Sequence, residues 1–162
     1  MRFGIITLSD RSSRGEREDL SGPALASFLQ AENCLVLKKI ILPDDESALR
    51  QTLTAWADSG EFDVILTTGS TGFAPRDIAP EATKSVIQKE APGLAEWMRA
   101  ESLKKTKHAA LSRAAAGIRA QTLIVNLPGS PKGAVENLQI IFSILPHAIQ
   151  LLSEDPDSEK SH

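Results

Sequence analysis

Val64-Ile65-Leu66-Thr67-Thr68-Gly69-Ser70-Thr71-Gly72 is a short apolar, β-prone run that passes without a break into glycines and hydroxyl side chains. A strand ending in such a loop places flexible backbone at the strand's carboxyl end, where amides can converge on an anion. The same arrangement repeats on either side of it. Upstream, Phe3 to Leu8 reads as a strand that runs into the polar loop Ser9 to Gly15, and Leu35 to Leu42 reads as a second strand stopped by Pro43. Downstream, Ala114 to Arg119 reads as a short strand and Thr122 to Leu127 as a longer one, which ends in the loop Asn126 to Gly133.

Helices fill the intervals. One starts near Ser21-Gly22-Pro23 and buries Leu25, Phe28 and Leu29 at helical spacing. A second opens at Asp44-Asp45-Glu46, carries the stripe Leu49, Leu53, Trp56 and closes by Ser59-Gly60. Two more are expected over Pro80 to Glu90 and Leu94 to Lys104. A last one runs from Leu138 to Leu152, bent by Pro146 within it. Strand-helix alternation of this kind predicts an α/β fold with a mostly parallel sheet and helices on both faces. In such folds ligands sit beyond the carboxyl ends of the strands. We read residues 1–153 as one domain and the polar residues 154–162 as a disordered tail.

Composition narrows the partners. With 162 residues, 41% apolar and 24% charged, the chain holds enough apolar material for a core. Its 18 basic and 21 acidic residues give a net charge of −3, which argues against a general nucleic-acid or anionic-membrane binder. Five Phe, two Trp and no Tyr supply few base-stacking platforms. The lone Cys34 cannot form an intrachain disulfide. Phe3 to Leu8 is too short for a signal-peptide core, and no run approaches the ~20 apolar residues of a membrane span. A cytoplasmic protein is expected.

The chemistry-bearing candidates lie in the loops. Gly69 to Gly72 matches neither the Walker A nor the dinucleotide pattern, so it reads equally as an anion cradle or a tight turn. Asp77 and Asp44 each stand at a helix entrance, where a carboxylate either caps the helix or holds a hard cation such as Mg²⁺ beside phosphate oxygens. Pro128-Gly129-Ser130 leads into a helix start with Lys132 nearby, which suits a phosphate as well as a rigid turn. No histidine can be paired with a serine and an aspartate, so hydrolase chemistry is disfavoured. The residues alone thus reach phosphate-ester recognition without naming a substrate.

Taken together, Thr67 to Asp77, Pro80-Glu81-Ala82-Thr83, Leu111-Ser112-Arg113 and Asn126 to Pro131 resemble the molybdopterin adenylyltransferase family, the Mog-type enzymes and the related G domains of gephyrin and its plant counterpart. The resemblance covers about residues 3 to 152 in order. Ala91-Pro92-Gly93 and Glu101-Ser102-Leu103 look like the adenylyltransferase branch, whereas the MoaB-type branch typically has Ser-Asp in place of Ser112-Arg113. The resemblance implies a three-layer α/β/α homotrimer that moves AMP from ATP to the terminal phosphate of molybdopterin with Mg²⁺, ahead of a partner that inserts molybdate. It implies Asp44 and Asp77 as the catalytic, metal-holding carboxylates. Gly69, Ser70, Thr71, Gly72, Pro128, Gly129 and Ser130 would bind nucleotide, and Ser9, Asp10, Arg11, Ser102, Ser112 and Arg113 would bind molybdopterin. A non-catalytic molybdopterin-binding or scaffold role on the MoaB-like branch is the alternative. Two departures bear on this: the family commonly has Gly where Ser70 stands and Thr where Ala79 stands. If position 70 requires positive φ, a serine there strains the loop.

Overall fold

Three strands are buried on both faces: β1 (Arg2–Leu8, apart from Arg2), β3 (Val64–Thr68) and β6 (Thr122–Leu127). This is what their near-continuous apolar sequences demand of a sheet covered on both sides. The computed structural model describes residues 1–153; the tail expected over 154–162 lies outside the described residues. A six-stranded sheet has the order β2-β1-β3-β6-β5-β4, with β2 at Leu35–Leu42, β4 at Lys89–Glu90 and β5 at Ala116–Arg119. β2, β1, β3 and β6 pair in parallel, while β5 pairs antiparallel with both β6 and β4. The expected mostly parallel α/β sheet is observed.

Two apolar clusters flank the sheet. On one face, Leu25 and Leu29 of α2 (Ser21–Ala31), Met98 of α5 (Pro92–Leu103), Leu138 and Ile141 of α6 (Pro131–Phe142) and Leu145 of α7 (Leu145–Leu152) close over Phe3, Ile5, Leu66 and Val125. On the other, Leu49, Leu53 and Trp56 of α3 (Glu46–Asp58) join Ala82 and Val86 of α4 (Ala79–Val86) over Ile6, Ile65 and Ile124. The result is the three-layer arrangement. Of the helices, none is by itself long and apolar enough to cross a membrane among the described residues.

Several boundaries differ from the sequence expectation, each for a physical reason. The expected loop Ser9 to Gly15 contains a short helix, α1 (Asp10–Ser13), because the Ser9 side chain accepts the Ser12 amide and caps it. The helix expected over Pro80 to Glu90 ends at Val86, where Ile87 turns extended and the Gln88 amide donates to Ile118 O at 2.7 Å, starting the β4–β5 pairing. The expected bent final helix is two helices meeting at 64°. Pro146 stands in the first turn of the second, where its missing amide is harmless.

The order of the first three strands positions the site. From β1 the chain crosses to β2 on one side, then returns to β3 on the other. The crevice beyond the carboxyl ends of β1 and β3 is therefore a topological switch point, where open α/β sheets place their ligands.

Candidate functional site

A cavity of about 580 Å³ opens at that switch point. Its floor is Leu8-Ser9-Asp10 after β1 and Thr68-Gly69-Ser70 after β3, and Asp44, Asp77 and Gly129-Ser130 complete it. Two loop backbones must approach closely here. Gly69 has φ +97°, and a Cβ on it would lie 2.6 Å from Leu8 O, so only glycine fits. The Gly69 amide donates to Leu127 O at 3.1 Å, and the Thr68 hydroxyl donates to Pro128 O at 2.7 Å. These bonds lock the loop after β3 to the loop after β6.

Neither aspartate is a helix cap. Asp45, one residue past Asp44, caps α3 by accepting the Ala48 amide at 2.7 Å. Asp44 instead faces Asp10 across the crevice. Its Oδ2 accepts the Asp10 amide at 3.1 Å, while its own amide donates to Asp10 Oδ1 at 2.9 Å. This reciprocal pair ties the loop after β2 to the loop after β1. α4 has no side-chain cap at all, and Asp77 Oδ2 accepts the Ala74 amide at 2.9 Å within its own turn. Each carboxylate thus keeps one oxygen without a protein donor among the described residues.

That donor set suits one class of cation. Among the described residues no group of three or more His, Cys, Asp or Glu side chains is placed to hold a metal. A closed, all-protein site is therefore not built. One or two carboxylates facing an open cavity fit Mg²⁺, which keeps waters and takes its remaining ligands from substrate phosphates. Arg11, Arg17 and Arg76 also line the cavity and form no ion pair among the described residues, whereas Arg14 is bound to Glu16 at 2.8 Å. Asp10, Glu18 and Asp19 line it as well, so these guanidinium groups offer charge-assisted donors to a phosphate group without making the cavity positive overall.

Ser70 has φ +58°, so the left-handed backbone contemplated from the sequence is present. Its hydroxyl offsets the strain: Oγ accepts the Ile78 amide at 2.8 Å and donates to Arg76 O at 3.2 Å. The Ala79 amide adds a bond to Ser70 O at 3.0 Å. Ser70 therefore braces the stretch that carries Asp77.

A second cavity, about 330 Å³, lies on the other side of the glycine loops. Thr71, Gly72, Pro128, Ser112 and Ser102 of α5 line it. Ser130 borders both cavities, and its side chain also caps α6 by accepting the Gly133 amide at 3.1 Å. Ser102 Oγ donates to Asn137 Oδ1 at 3.4 Å, and Arg99 Nη1 holds Ser112 O and Ala114 O at 3.3 and 3.0 Å.

The expected site residues thus fall into two groups that differ from the expected division. Ser9, Asp10 and Arg11 share the first cavity with Asp44, Asp77, Gly69 and Ser70. Thr71, Gly72 and Pro128 face the second, with Ser102 and Ser112. Arg113 lines neither: Nε donates to Gly72 O at 2.7 Å, Nη2 to Asp77 O at 2.8 Å, and Nη1 pairs with Glu81. Burial of Glu81 opposes its ionisation, but the hydrogen bond and charge of Arg113 hold its carboxyl below the usual glutamate value. Arg76 is legible in the sequence as the charged partner of Asp77 between two prolines, whereas Arg99, Asn137 and Asp19 are not singled out there. Asp19 carried a signal, since it precedes the start of α2 and accepts the Gly22 amide at 3.1 Å. The others reach the cavities only through folding.

Known proteins share this architecture. The family described as "Probable molybdopterin binding domain" matches residues 4–147. The chain is 43% identical over 154 residues to the molybdopterin adenylyltransferase of Helicobacter pylori strain J99, covering 94% of this chain and 88% of that one. It is 45% identical over 155 residues to the Drosophila melanogaster molybdenum cofactor synthesis protein cinnamon, of whose length it spans only 26%. Among solved structures, the molybdopterin biosynthesis enzyme MoaB from Thermus thermophilus superposes with a TM-score of 0.89 at 48% identity, covering 96% of this chain and 98% of that one. A MogA structure superposes at 0.87 with 33% identity, covering 94% and 99%. Both branches considered from the sequence are therefore represented. The chain belongs to the molybdopterin-binding domain family of molybdenum cofactor biosynthesis.

Proposed function

We propose that this protein is a molybdopterin adenylyltransferase, transferring AMP from ATP to the terminal phosphate of molybdopterin and releasing pyrophosphate. The observation that carries the reading is the pair of cavities sharing one wall of glycine loops, with the half-free carboxylates of Asp44 and Asp77 and the side chains of Arg11, Arg17 and Arg76 lining the first. The first cavity, with its arginines and half-free carboxylates, suits a triphosphate, and the second, lined mainly by apolar surface and hydroxyls with Arg99, Lys105 and Glu136 among its residues, suits the pterin ring system. Ser130, which borders both, marks where the two phosphates would meet.

In this reading the protein acts by positioning and charge neutralisation. Arg11, Arg17 and Arg76 orient the triphosphate by charge-assisted hydrogen bonds. The free oxygens of Asp77 and Asp44 would hold Mg²⁺, which when bound supplies neutralisation of the charge that develops on the phosphoryl oxygens. The backbone of Gly69 and Gly129 lets the α-phosphoryl approach the shared wall without a side chain between the reactants. The attacking oxygen belongs to a phosphate already ionised at neutral pH, so no strong general base is required. In the second cavity Ser102 and Ser112 would fix the pterin. A cytoplasmic homotrimer, handing its product to a partner that inserts molybdate, belongs to the same proposal.

A second reading, a MoaB-like molybdopterin-binding protein that does not turn over ATP, is favoured by the higher identity to the Thermus MoaB structure than to MogA, 48% against 33%. Incubation of the purified protein with molybdopterin, ATP and Mg²⁺, with pyrophosphate and adenylylated pterin followed by mass, separates the two. Adduct formation that requires ATP supports the transferase. Tight pterin binding with ATP bound and no adduct assigns the protein to the second reading.

A further inference from the structure

Arg113 stands between the two cavities and contacts the wall of each. Its Nε donates to Gly72 O at 2.7 Å, and its backbone amide donates to Thr71 O at 2.9 Å. Both residues face the second cavity, as does its neighbour Ser112. Its Nη2 donates at 2.8 Å to the carbonyl of Asp77, a residue of the first cavity, and its Nη1 pairs with Glu81 on α4. We propose that Arg113 is a positioning residue that sets Asp77 relative to the Thr71-Gly72-Ser112 wall, and that it makes no contact with the pterin.

Donor geometry carries the assignment. Three nitrogens of one planar group serve three separate acceptors, so the guanidinium has a single orientation, and that orientation fixes the spacing of Gly72 and Asp77. Glu81 anchors the group from α4, whose buried Ala82, Thr83 and Val86 root it in the core. Ser70 braces the same stretch from its other end through Arg76 O and Ile78 N. Asp77 has little freedom between these two braces. A lysine at position 113 keeps the charge but brings one nitrogen, which cannot reach Gly72, Asp77 and Glu81 together.

The kinetic part of the test rests on the adenylyl-transfer reading, while two other parts do not. In the full chain, Arg113→Lys is expected to speed amide exchange across residues 72–79 by about tenfold or more, as lost carbonyl restraints open the loop. Molybdopterin affinity, by equilibrium titration, is expected to stay within about threefold, because no lining group is removed. The kcat is expected to fall on the order of 10–100-fold with both KM values little changed, as misplacement of a reacting group by a fraction of an ångström to an ångström would produce. Unchanged exchange over 72–79 overturns the proposal. So does a loss of molybdopterin affinity of about tenfold or more with kcat retained, which would make Arg113 a ligand contact. If wild-type protein forms no adduct, the transferase reading fails, and exchange and affinity still decide the role of Arg113. Should Arg113→Lys not fold, Glu81→Gln serves instead, with the same signs expected and smaller changes.

Discussion

The two cavities share a wall yet are built on different principles. The first is made from loops at the ends of adjacent parallel strands, and backbone amides and carboxylates do the fastening, as in the reciprocal Asp10–Asp44 pair. The second is made from helix flanks and a 3₁₀ turn, Lys107–Leu111, and is fastened by long side chains such as Arg99 and Asn137 reaching to carbonyls. One is rigid where charge must be placed. The other owes its shape to packing, which suits recognition of a ring by surface and hydroxyls. A variant that damages only one of them is the direct way to sharpen this division.

The largest effect is expected at Asp77. Asparagine there still offers an oxygen to the Ala74 amide but loses the charge, so the turn should survive. On the proposed transferase reading, adenylyl transfer should fall by roughly 10²–10³-fold, the scale seen when one group that stabilises a developing charge is removed. The melting temperature should move little, and pterin affinity should hold. Retained turnover would remove Asp77 from the chemistry, and lost pterin binding would break the separation of the cavities.

Next comes Gly69→Ala. Left-handed backbone disfavours a side chain there by about 1–3 kcal/mol, and the added Cβ would also press on Leu8 O, 2.6 Å away. Thermal unfolding should shift down by several degrees. Nucleotide binding should weaken more than pterin binding, because the displaced backbone is the floor of the first cavity. Equal weakening of both would mean that the shared wall moves as one piece.

How much of this could be read from residues follows the same division. The first cavity was legible because its parts sit where local rules put them: a glycine loop at a strand end, aspartates at helix entrances, a Pro-Gly turn before a helix. Even so, the sequence could not tell Asp44 from Asp45 as the cap of α3, since either satisfies the pattern and only the contact with Asp10 decides. The second cavity was visible only as isolated serines. Ser102 meets Asn137, 35 residues away, and Arg99 meets Ser112 and Ala114, through the packing of α5 on its neighbours. The strand β4 was missed for a similar reason. Its two residues have no propensity to announce them, and it exists because β5 offers Gly117 and Ile118 as partners.

Ser70 offers a smaller and sharper test of rigidity in the first region. Ser70→Ala keeps the left-handed φ and loses both hydroxyl bonds, so it should destabilise by about 1–2 kcal/mol. Ser70→Gly loses the same bonds and relieves the backbone, by about 1 kcal/mol, and should unfold close to wild type. Denaturant midpoints for the pair measure the two terms separately. A glycine variant less stable than the alanine variant would show that the backbone at 70 carries no strain.

The smallest effect concerns pH and the charge that anchors the shared wall. Arg113 holds the Glu81 carboxyl below its ordinary value near 4.5 in the folded protein, despite the opposing effect of burial. Arg2 does the same for Asp63, and Arg119 for Asp58, relative to ordinary values near 3.8. A carboxylate whose folded pKa is depressed stabilises the fold fully above its unfolded pKa, and that stabilisation is lost as pH falls through the folded pKa. Stability should therefore be flat with respect to these groups at neutral pH and should decline once the pH drops below about 4.5, the unfolded glutamate range. Glu81→Gln should cost less than about 1 kcal/mol at pH 7, the range of a solvent-screened pair. Its difference from wild type should shrink toward zero in acid, as both chains then carry a neutral side chain at position 81. A difference that persists undiminished at low pH would mean that the charge of Glu81 contributes nothing to holding Arg113, and that hydrogen-bond shape alone keeps the two cavities in register.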